Sequence, residues 1–292
     1  MLFNIIIASF ALLGSTIAKS CNGHTELCSR KYSNITQIGT HDSAFVGVLP
    51  TDNQFLSVTS QLDGGIRFLQ AQTHMERDVL RLCHTSCLLK DAGPLVSYLT
   101  TIKKWMDAHP NEVVSLLLTN GDRVDVAKFG ADMKTSGLAS YAYAPGKRLA
   151  MADWPSLQHL IDAKTRLVVF LDYGANTASV PYIMDEFAYY FETGFDVTDN
   201  DFSSCALDRP DGTDGSGLMY IVNHFLDVDL FGSVLVPDTV EVHRTNAAKG
   251  DGSVGAQAAL CSSKWGRRPN VILVDFFETG DVFRVQDALN GF

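Results

Sequence analysis

Four nearly continuous apolar runs constrain the fold of this chain more than any other feature. They span residues 113–119 (VVSLLLT), 166–172 (RLVVFLD), 218–223 (LMYIVN) and 270–276 (NVILVDF). A strand that faces water on one side alternates polar and apolar residues, whereas a run without alternation is typical of a parallel strand buried on both faces. The runs therefore predict a parallel sheet that other elements cover on both sides.

Helical periodicity recurs between these runs. Leu95, Leu99, Ile102 and Met106 fall on one face of a helix that Pro94 begins, and similar spacing predicts helices after residues 55, 126, 155, 181 and 281. Further strands are expected over 35–39 and 66–73, with a β-arm over 79–83. Strands that alternate with helices over 292 residues predict an α/β fold. The expected architecture is a single-domain TIM-type (β/α)8 barrel, which can be distorted from the regular form. An open doubly wound sheet is the alternative, although no G-x-G-x-x-G follows the first strand.

The N-terminal segment has the character of a secretory signal. Residues 1–18 contain a short apolar stretch followed by small residues, which predicts a signal peptide cleaved after Ala18 and a secreted barrel domain over 19–292. A buried first helix is the alternative. Six cysteines follow, an even number that suggests three disulfides; of fifteen possible pairings, proximity favours Cys21–Cys28 and Cys83–Cys87, which leaves Cys205–Cys261. Zinc binding would need a C-x-x-C cluster, which the sequence lacks.

Charge limits the classes of partner. The net charge of −10 makes nucleic acid an unfavourable partner, because like charges repel, and it gives no electrostatic help in approaching an anionic membrane.

Polar residues follow the apolar runs, at the strand ends where barrel enzymes place their chemistry. The candidate site residues are His41, Asp42, Gln70, Gln72, His84, Asn120, Asp122, Asp172, Asn223, His224 and Asp275. An imidazole titrates near neutrality, so one histidine can accept a proton while another donates one, and a nearby carboxylate can fix each ring. Spacing alone does not say which carboxylate pairs with which histidine.

Five segments carry a resemblance to a known family. IGTHDS at 38–43, LCH at 82–84 and VDFF at 274–277 resemble, in this order, motifs of the phosphatidylinositol-specific phospholipase C superfamily in its bacterial, metal-independent form. DAHPNEVVSLLLTN at 107–120 and NHFLD at 223–227 resemble its secreted fungal-type branch. The resemblance covers essentially the whole chain after the signal peptide and implies a phosphoric diester hydrolase acting on an inositol phospholipid or a related phosphodiester.

The resemblance also implies roles for individual residues. His41 matches the general base that activates the inositol 2-hydroxyl, and His84 matches the general acid that protonates the leaving oxygen. Asp275 matches the partner of His41, and Asp42 matches the partner of His84. We therefore expect these four residues to be catalytic, and Gln70, Gln72, Asn120, Asp172, Asn223 and His224 to bind substrate.

One departure concerns the phosphate. Where the bacterial enzymes carry an Asp and, two residues later, an Arg that contacts the phosphate, this chain has Gln70 and Gln72. Residues two apart on a strand face the same way, so both are expected at the mouth, where an amide donates only a neutral hydrogen bond. The same pair lacks the carboxylates that Ca²⁺ or Mg²⁺ would prefer.

We expect no cofactor and no metal, a monomer, transient contact with a membrane surface, and a phospholipid or other phosphodiester as substrate. Two alternatives stay open. A catalytically impaired barrel could bind a phosphate ester or glycan, or a metal-dependent phospholipid phosphodiesterase could use Asp42, Asp122 and Asp172 as ligands.

Overall fold

The computed structural model describes residues 20–230, 232 and 234–292, so the predicted signal peptide over 1–18 lies outside the described residues. The strands are β1 (Gln37–Thr40), β2 (Phe68–Glu76), β3 (Val79–Cys83), β4 (Asp91–Pro94), β5 (Val114–Thr119), β6 (Leu167–Leu171), β7 (Ile183–Asp185), β8 (Tyr190–Thr193), β9 (Leu207–Arg209), β10 (Met219–Asn223), β11 (Asp227–Leu230), β12 (Val234–Pro237) and β13 (Val271–Val274). The helices are α1 (Val58–Asp63), α2 (Leu95–Ala108), α3 (Val126–Thr135), α4 (Leu157–Asp162), α5 (Val242–Thr245), α6 (Val254–Trp265) and α7 (Val282–Asn290).

Eight parallel strands curl into an incomplete barrel, which confirms the predicted α/β class. Their order is β7-β6-β5-β2-β1-β13-β10-β8, and β9 adds to β8 in the antiparallel sense. The first and last of these strands in the chain, β1 and β13, pair with each other. In the described part of the chain no pairing joins β7 to β8, so the barrel is open at that point.

The strands have two apolar faces because the core has two layers. Leu116 and Leu118 of β5 pack outward with helix residues such as Leu99, whereas Leu117 packs inward with Phe68 and other strand residues. This division explains why the strand sequences lack alternation, since both faces of each strand are buried.

The helix predicted over 181–191 is wrong. This segment forms β7, one turn of 3-10 helix over Glu186–Ala188, and β8. Tyr190 packs into the barrel interior and Phe191 packs on the opposite, helix-covered face, which is the two-residue period of a strand. Strands this short contain too few residues for the sequence to show whether its apolar residues repeat every two positions, as in a strand, or with the spacing of a helix.

Two segments that sequence patterns did not identify complete the fold. Helix α6 is formed largely from small residues, and the hairpin of β11 and β12 extends beyond the carboxyl end of β10. A third feature, the predicted arm, is confirmed: β2 runs past the barrel and pairs with β3 in the antiparallel sense. The arm returns the chain so that residue 84 follows directly on the end of β3.

The three disulfides confirm the predicted pairing: Cys21–Cys28 and Cys83–Cys87, which proximity favours, and Cys205–Cys261, the pair that remains. The first two close short loops, whereas the third spans 56 residues and ties the segment before β9 to helix α6. In the described part of the chain, no helix combines the length and apolar character needed to cross a bilayer.

The disulfides should differ in their contribution to stability. Because cross-linking restricts the unfolded chain more when the closed loop is longer, replacing both Cys205 and Cys261 with Ser should lower the free energy of unfolding by about 4 kcal/mol. The matched replacement of Cys83 and Cys87 should lower it by about 2 kcal/mol. Urea unfolding of both double variants measures the difference, and equal losses would contradict it.

Candidate active site

A polar cavity of about 550 Å³ opens at the carboxyl ends of the barrel strands. His41 reaches it from the end of β1, Gln72 from β2, His84 from the arm, Asp172 from the end of β6 and Asn223 from the end of β10. Side chains from elements far apart in sequence meet here because all parallel strands of a barrel end at the same face.

His41 is held by a carboxylate and by an aromatic ring. In the β1–β13 pairing Thr40 lies opposite Val274, so the next residue of each strand, His41 and Asp275, are brought side by side. His41 Nδ1 lies 3.0 Å from Asp275 Oδ1, and the imidazole stacks on Phe225 with ring centroids 3.7 Å apart. This arrangement fixes the ring plane and leaves Nε2 toward the cavity.

The carboxylates around His41 favour its charged form. Burial alone would lower the pKa of the imidazole, but the Asp275 and Asp42 carboxylates outweigh burial and raise this pKa to about 9. Burial also raises the pKa of Asp275, while His41 opposes that rise. The unliganded site therefore holds an imidazolium–carboxylate pair at neutral pH.

Asp42 lies between the two histidines. Its Oδ2 atom is 3.6 Å from His41 Nε2 and 3.6 Å from His84 Nε2. Asp42 adopts a left-handed φ of 42°, and its other oxygen accepts a hydrogen bond of 3.1 Å from the Gln72 backbone N–H. Aspartate tolerates this conformation better than most residues. The two Nε2 atoms thus converge on one buried carboxylate.

The two glutamines of β2 have defined orientations. The Gln70 side-chain oxygen accepts the Asp42 backbone N–H at 2.6 Å, and the Gln72 side-chain oxygen accepts the Thr85 backbone N–H at 2.5 Å. Because both partners are donors, each amide must present its oxygen to them. Within the described residues neither amide NH₂ has a hydrogen-bond partner, and both side chains line the cavity.

Three consecutive buried residues that sequence reasoning missed support this arrangement. The Asn53 amide donates to Asp275 Oδ2 at 3.1 Å, and the Gln54 amide donates to the His41 carbonyl at 2.9 Å. Asp52 forms an ion pair with Lys90, whose carbonyl accepts the backbone N–H of His84. Residues 52–54 therefore join the segment of His41 to the loop of His84, contacts that no local pattern signals.

The structure does not bring all predicted substrate-binding residues to the cavity. Asp172 and Asn223 line it, but His224 is fully buried in the core against the Gln257 side chain and the Thr245 carbonyl. Burial lowers the pKa of His224 to about 4. Asn120 closes its own loop, because its amide donates to the carbonyls of Val124 and Tyr173. His224 and Asn120 therefore do not line the cavity, and their side chains hydrogen-bond within the fold.

The opposite wall carries further charged groups. Arg209 of β9 lies 2.5 Å from Glu192 of β8, and Glu186 is buried beside them. Burial raises the pKa of Asp172 to about 6 and, together with the nearby Asp275 carboxylate, raises the pKa of Asp227 to about 7. Asp172 is among the residues that the strand-end pattern predicts, whereas Glu186, Glu192 and Arg209 lie where the sequence has no apolar run that marks a strand end.

The carboxylates considered as metal ligands have other partners. Asp122 contacts the His74 ring, Asp172 accepts the Asn120 backbone N–H, and Asp42 lies between the two histidines. The portion of the chain that the structure describes contains no group of three or more His, Cys, Asp or Glu side chains that could hold a metal ion.

Comparison with known proteins gives consistent matches. The family described as PI-PLC X 1 matches residues 27–290. A PI-PLC X domain-containing protein 1 of Arthroderma benhamiae is 52% identical over 273 residues, covering 93% of this chain and 89% of the relative. An uncharacterized secreted protein of the same fungus is 44% identical over 288 residues, covering 94% of this chain and 65% of the relative. The phosphatidylinositol-specific phospholipase C of Listeria monocytogenes has a similar fold, with a TM-score of 0.59 and 13% identity over 91% of this chain and 96% of that one.

The electrostatics of His41 can be measured directly. By NMR, the imidazole of His41 should titrate near pH 9, and Asp275→Asn should lower this pKa by removing the charge that holds the proton. His224 is the internal control and should titrate near pH 4 in both proteins. A wild-type His41 that titrates near 6.5 would contradict the assignment. Because the folded-state pKa of His41 is raised, the stability contributed by the protonation of His41 is full below about pH 6.5 and is lost as the pH rises through about 9.

Proposed function

The chain belongs to the PI-PLC X family, and from that membership we propose that it cleaves an inositol phospholipid or a related phosphodiester by acid–base chemistry that needs no metal. The observation that carries this proposal is the convergence of His41 Nε2 and His84 Nε2 on the Asp42 carboxylate. Two imidazoles that face the same cavity from different elements can act on one phosphodiester, because one ring can accept a proton while the other donates one.

The proposed reaction begins when neutral His41 removes the proton of the inositol 2-hydroxyl. That oxygen attacks phosphorus, the bond from phosphorus to the diacylglycerol oxygen breaks, and His84 gives its proton to the departing oxygen. The products are a cyclic inositol phosphate and diacylglycerol. Asp275 orients His41, and Asp42 stabilises the imidazolium form of whichever ring carries the proton.

The amides of Gln70 and Gln72 support the phosphate in this proposal. Their oxygens are engaged by backbone donors, so their NH₂ groups are left to donate to a non-bridging phosphate oxygen. On the opposite side, the Asp172 carboxylate and the Asn223 side-chain oxygen can accept hydrogen bonds from ring hydroxyls, while the Asn223 NH₂ donates to Glu192 and to the Thr193 carbonyl. The phosphate and the head group thus fall against different walls of one cavity.

Exposed apolar side chains lie on segments that line the cavity or adjoin its lining residues, and they suit a lipid surface. Leu49 after β1 is 60% exposed, Leu88 beside the Cys83–Cys87 loop is 100% exposed, and Val234 of β12 is 43% exposed. Leu89 and Val234 also line the cavity, so the apolar rim is continuous with the site. We include a transient contact of this rim with a membrane in the proposal, driven by apolar burial, since the chain has a net charge of −10.

Secretion is part of the same proposal. A relative that is 44% identical is named a secreted protein, and the three disulfides suit an oxidising compartment. We propose that residues 1–18 are the signal peptide and that the monomeric domain over 19–292 acts outside the cell without a cofactor.

A binding protein without turnover is the second candidate. The observation in its favour is that Arg209, the sole Lys or Arg side chain among the described residues that line the cavity, is already paired with Glu192. Tight binding of phosphodiesters without any cleavage would support this candidate over the enzyme.

Activity is tested with purified protein and phosphatidylinositol vesicles, with and without a chelator. We expect release of cyclic inositol phosphate that the chelator does not change, and a loss of at least about 10²-fold in His41→Ala and in His84→Ala. His159→Ala, on the exposed face of α4, is the control and should keep full activity. Since turnover needs one neutral and one protonated imidazole, kcat/KM should follow a bell-shaped pH profile with one limb near pH 9, where His41 titrates. Activity abolished by chelation, or retained in either cavity variant, would refute the mechanism.

The rim is tested separately from the chemistry. Leu88→Ser should weaken binding to vesicles and reduce vesicle hydrolysis, because it removes apolar surface that the bilayer would cover. Leu260→Ser, which changes an exposed apolar residue of α6, is the matched control and should bind vesicles like the wild type. Flotation assays measure binding, and equal binding by the two variants would rule out the rim.

A further inference from the structure

The cavity is poor in positive charge for a site that must hold a phosphodiester. Six carboxyl side chains line it, those of Asp42, Asp172, Glu186, Glu192, Asp196 and Asp227. Arg209 is paired with Glu192, and the proposed chemistry uses His41 and His84 for proton transfer. Among the described cavity-lining residues, this leaves His74 as the remaining side chain that can carry a positive charge.

His74 stands on the same strand face as the two glutamines. Residues 70, 72 and 74 of β2 are two apart, so their side chains point the same way, and all three line the cavity. His74 is therefore the next side chain toward the mouth from Gln72, the position where the family resemblance leads one to expect an arginine.

A carboxylate fixes the His74 ring. Nδ1 lies 3.1 and 3.2 Å from the two Asp122 oxygens, and Asp122 is itself anchored by the Met75 backbone N–H at 2.8 Å. With Nδ1 engaged in this way, Nε2 has no hydrogen-bond partner in the described part of the chain. The other charged groups nearby are Arg81, opposite His74 on β3 and paired with Asp91, and the exposed pair Glu76–Arg77 beyond it.

We propose that His74, oriented by Asp122 and acting as an imidazolium, binds an anionic oxygen of the phosphodiester beside the Gln72 amide. A charge-assisted hydrogen bond is stronger than one from a neutral amide, so this ring supplies the positive charge that the two glutamines lack. The proposal rests on the proposed phosphodiester chemistry, and it assigns binding rather than proton transfer to His74.

The test compares two replacements of one side chain. His74→Gln keeps a neutral donor and removes the charge, and His74→Arg keeps a charge at all pH values. We expect His74→Gln to weaken the binding of inorganic phosphate about 10-fold and to lower kcat/KM on phosphatidylinositol by a similar factor, the usual difference between charged and neutral hydrogen bonds. His74→Arg should stay within about 3-fold of the wild type in both measurements.

The control is His24→Gln, which removes another histidine that lies 3.7 Å from an aspartate, Asp287, but does not line the cavity. It should bind phosphate like the wild type. Equal phosphate affinity in His74→Gln and wild type, or equal losses in His74→Gln and His74→Arg with unchanged thermal unfolding, would overturn the proposal. A wild type that binds phosphate through His74 but cleaves no phosphodiester would overturn the proposed function and leave the anion site standing.

Discussion

The placement of one carboxylate, that of Asp42, between two imidazoles is the interaction on which the rest of this site depends. It requires β1 to end at Thr40 and the next two residues to turn into the cavity, with Asp42 in a left-handed conformation. Gln70 and Gln72 secure that turn, the first by accepting the Asp42 N–H and the second by donating its backbone N–H to the carboxylate. The glutamines therefore hold the acid–base machinery in place, a task separate from contact with the phosphate.

Closure of the barrel between β1 and β13 supplies the second constraint. The parallel register that pairs Thr40 with Val274 carries His41 and Asp275 into contact, so the geometry of the proposed base is a direct consequence of backbone pairing. The opening between β7 and β8 lies on the other side of the cavity, where Glu186, Glu192 and Arg209 gather. One half of the site is thus fixed by a continuous sheet, while the other is built around an interruption of it.

Much of this fold could be predicted from the sequence because the buried strands lack alternation, a signal that survives without any tertiary information. The strand-end rule also located His41, Gln72, Asp172 and Asn223 at one cavity. The same rule wrongly assigned His224 to the cavity. Side chains of adjacent residues point to opposite faces at a strand end, and the rule does not say whether Asn223 or His224 faces the cavity.

Other features could not be read from local sequence. Asn53, Gln54 and Arg209 act through contacts with residues far along the chain, and nothing in their neighbourhoods marks them. The prediction of a helix over residues 181–191 was wrong for a different reason. The two strands formed there have three and four residues, which is shorter than the window in which a period can be recognised.

A crystal structure with a non-hydrolysable inositol phosphonate would show whether the phosphorus atom of a substrate lies against both His41 and His84. We expect the phosphonate group on the cavity side of the Asp42 carboxylate, with each Nε2 atom within about 3.2 Å of one of its oxygens or of the attacking hydroxyl. A phosphonate bound elsewhere in the cavity, or one held through a metal ion, would contradict it.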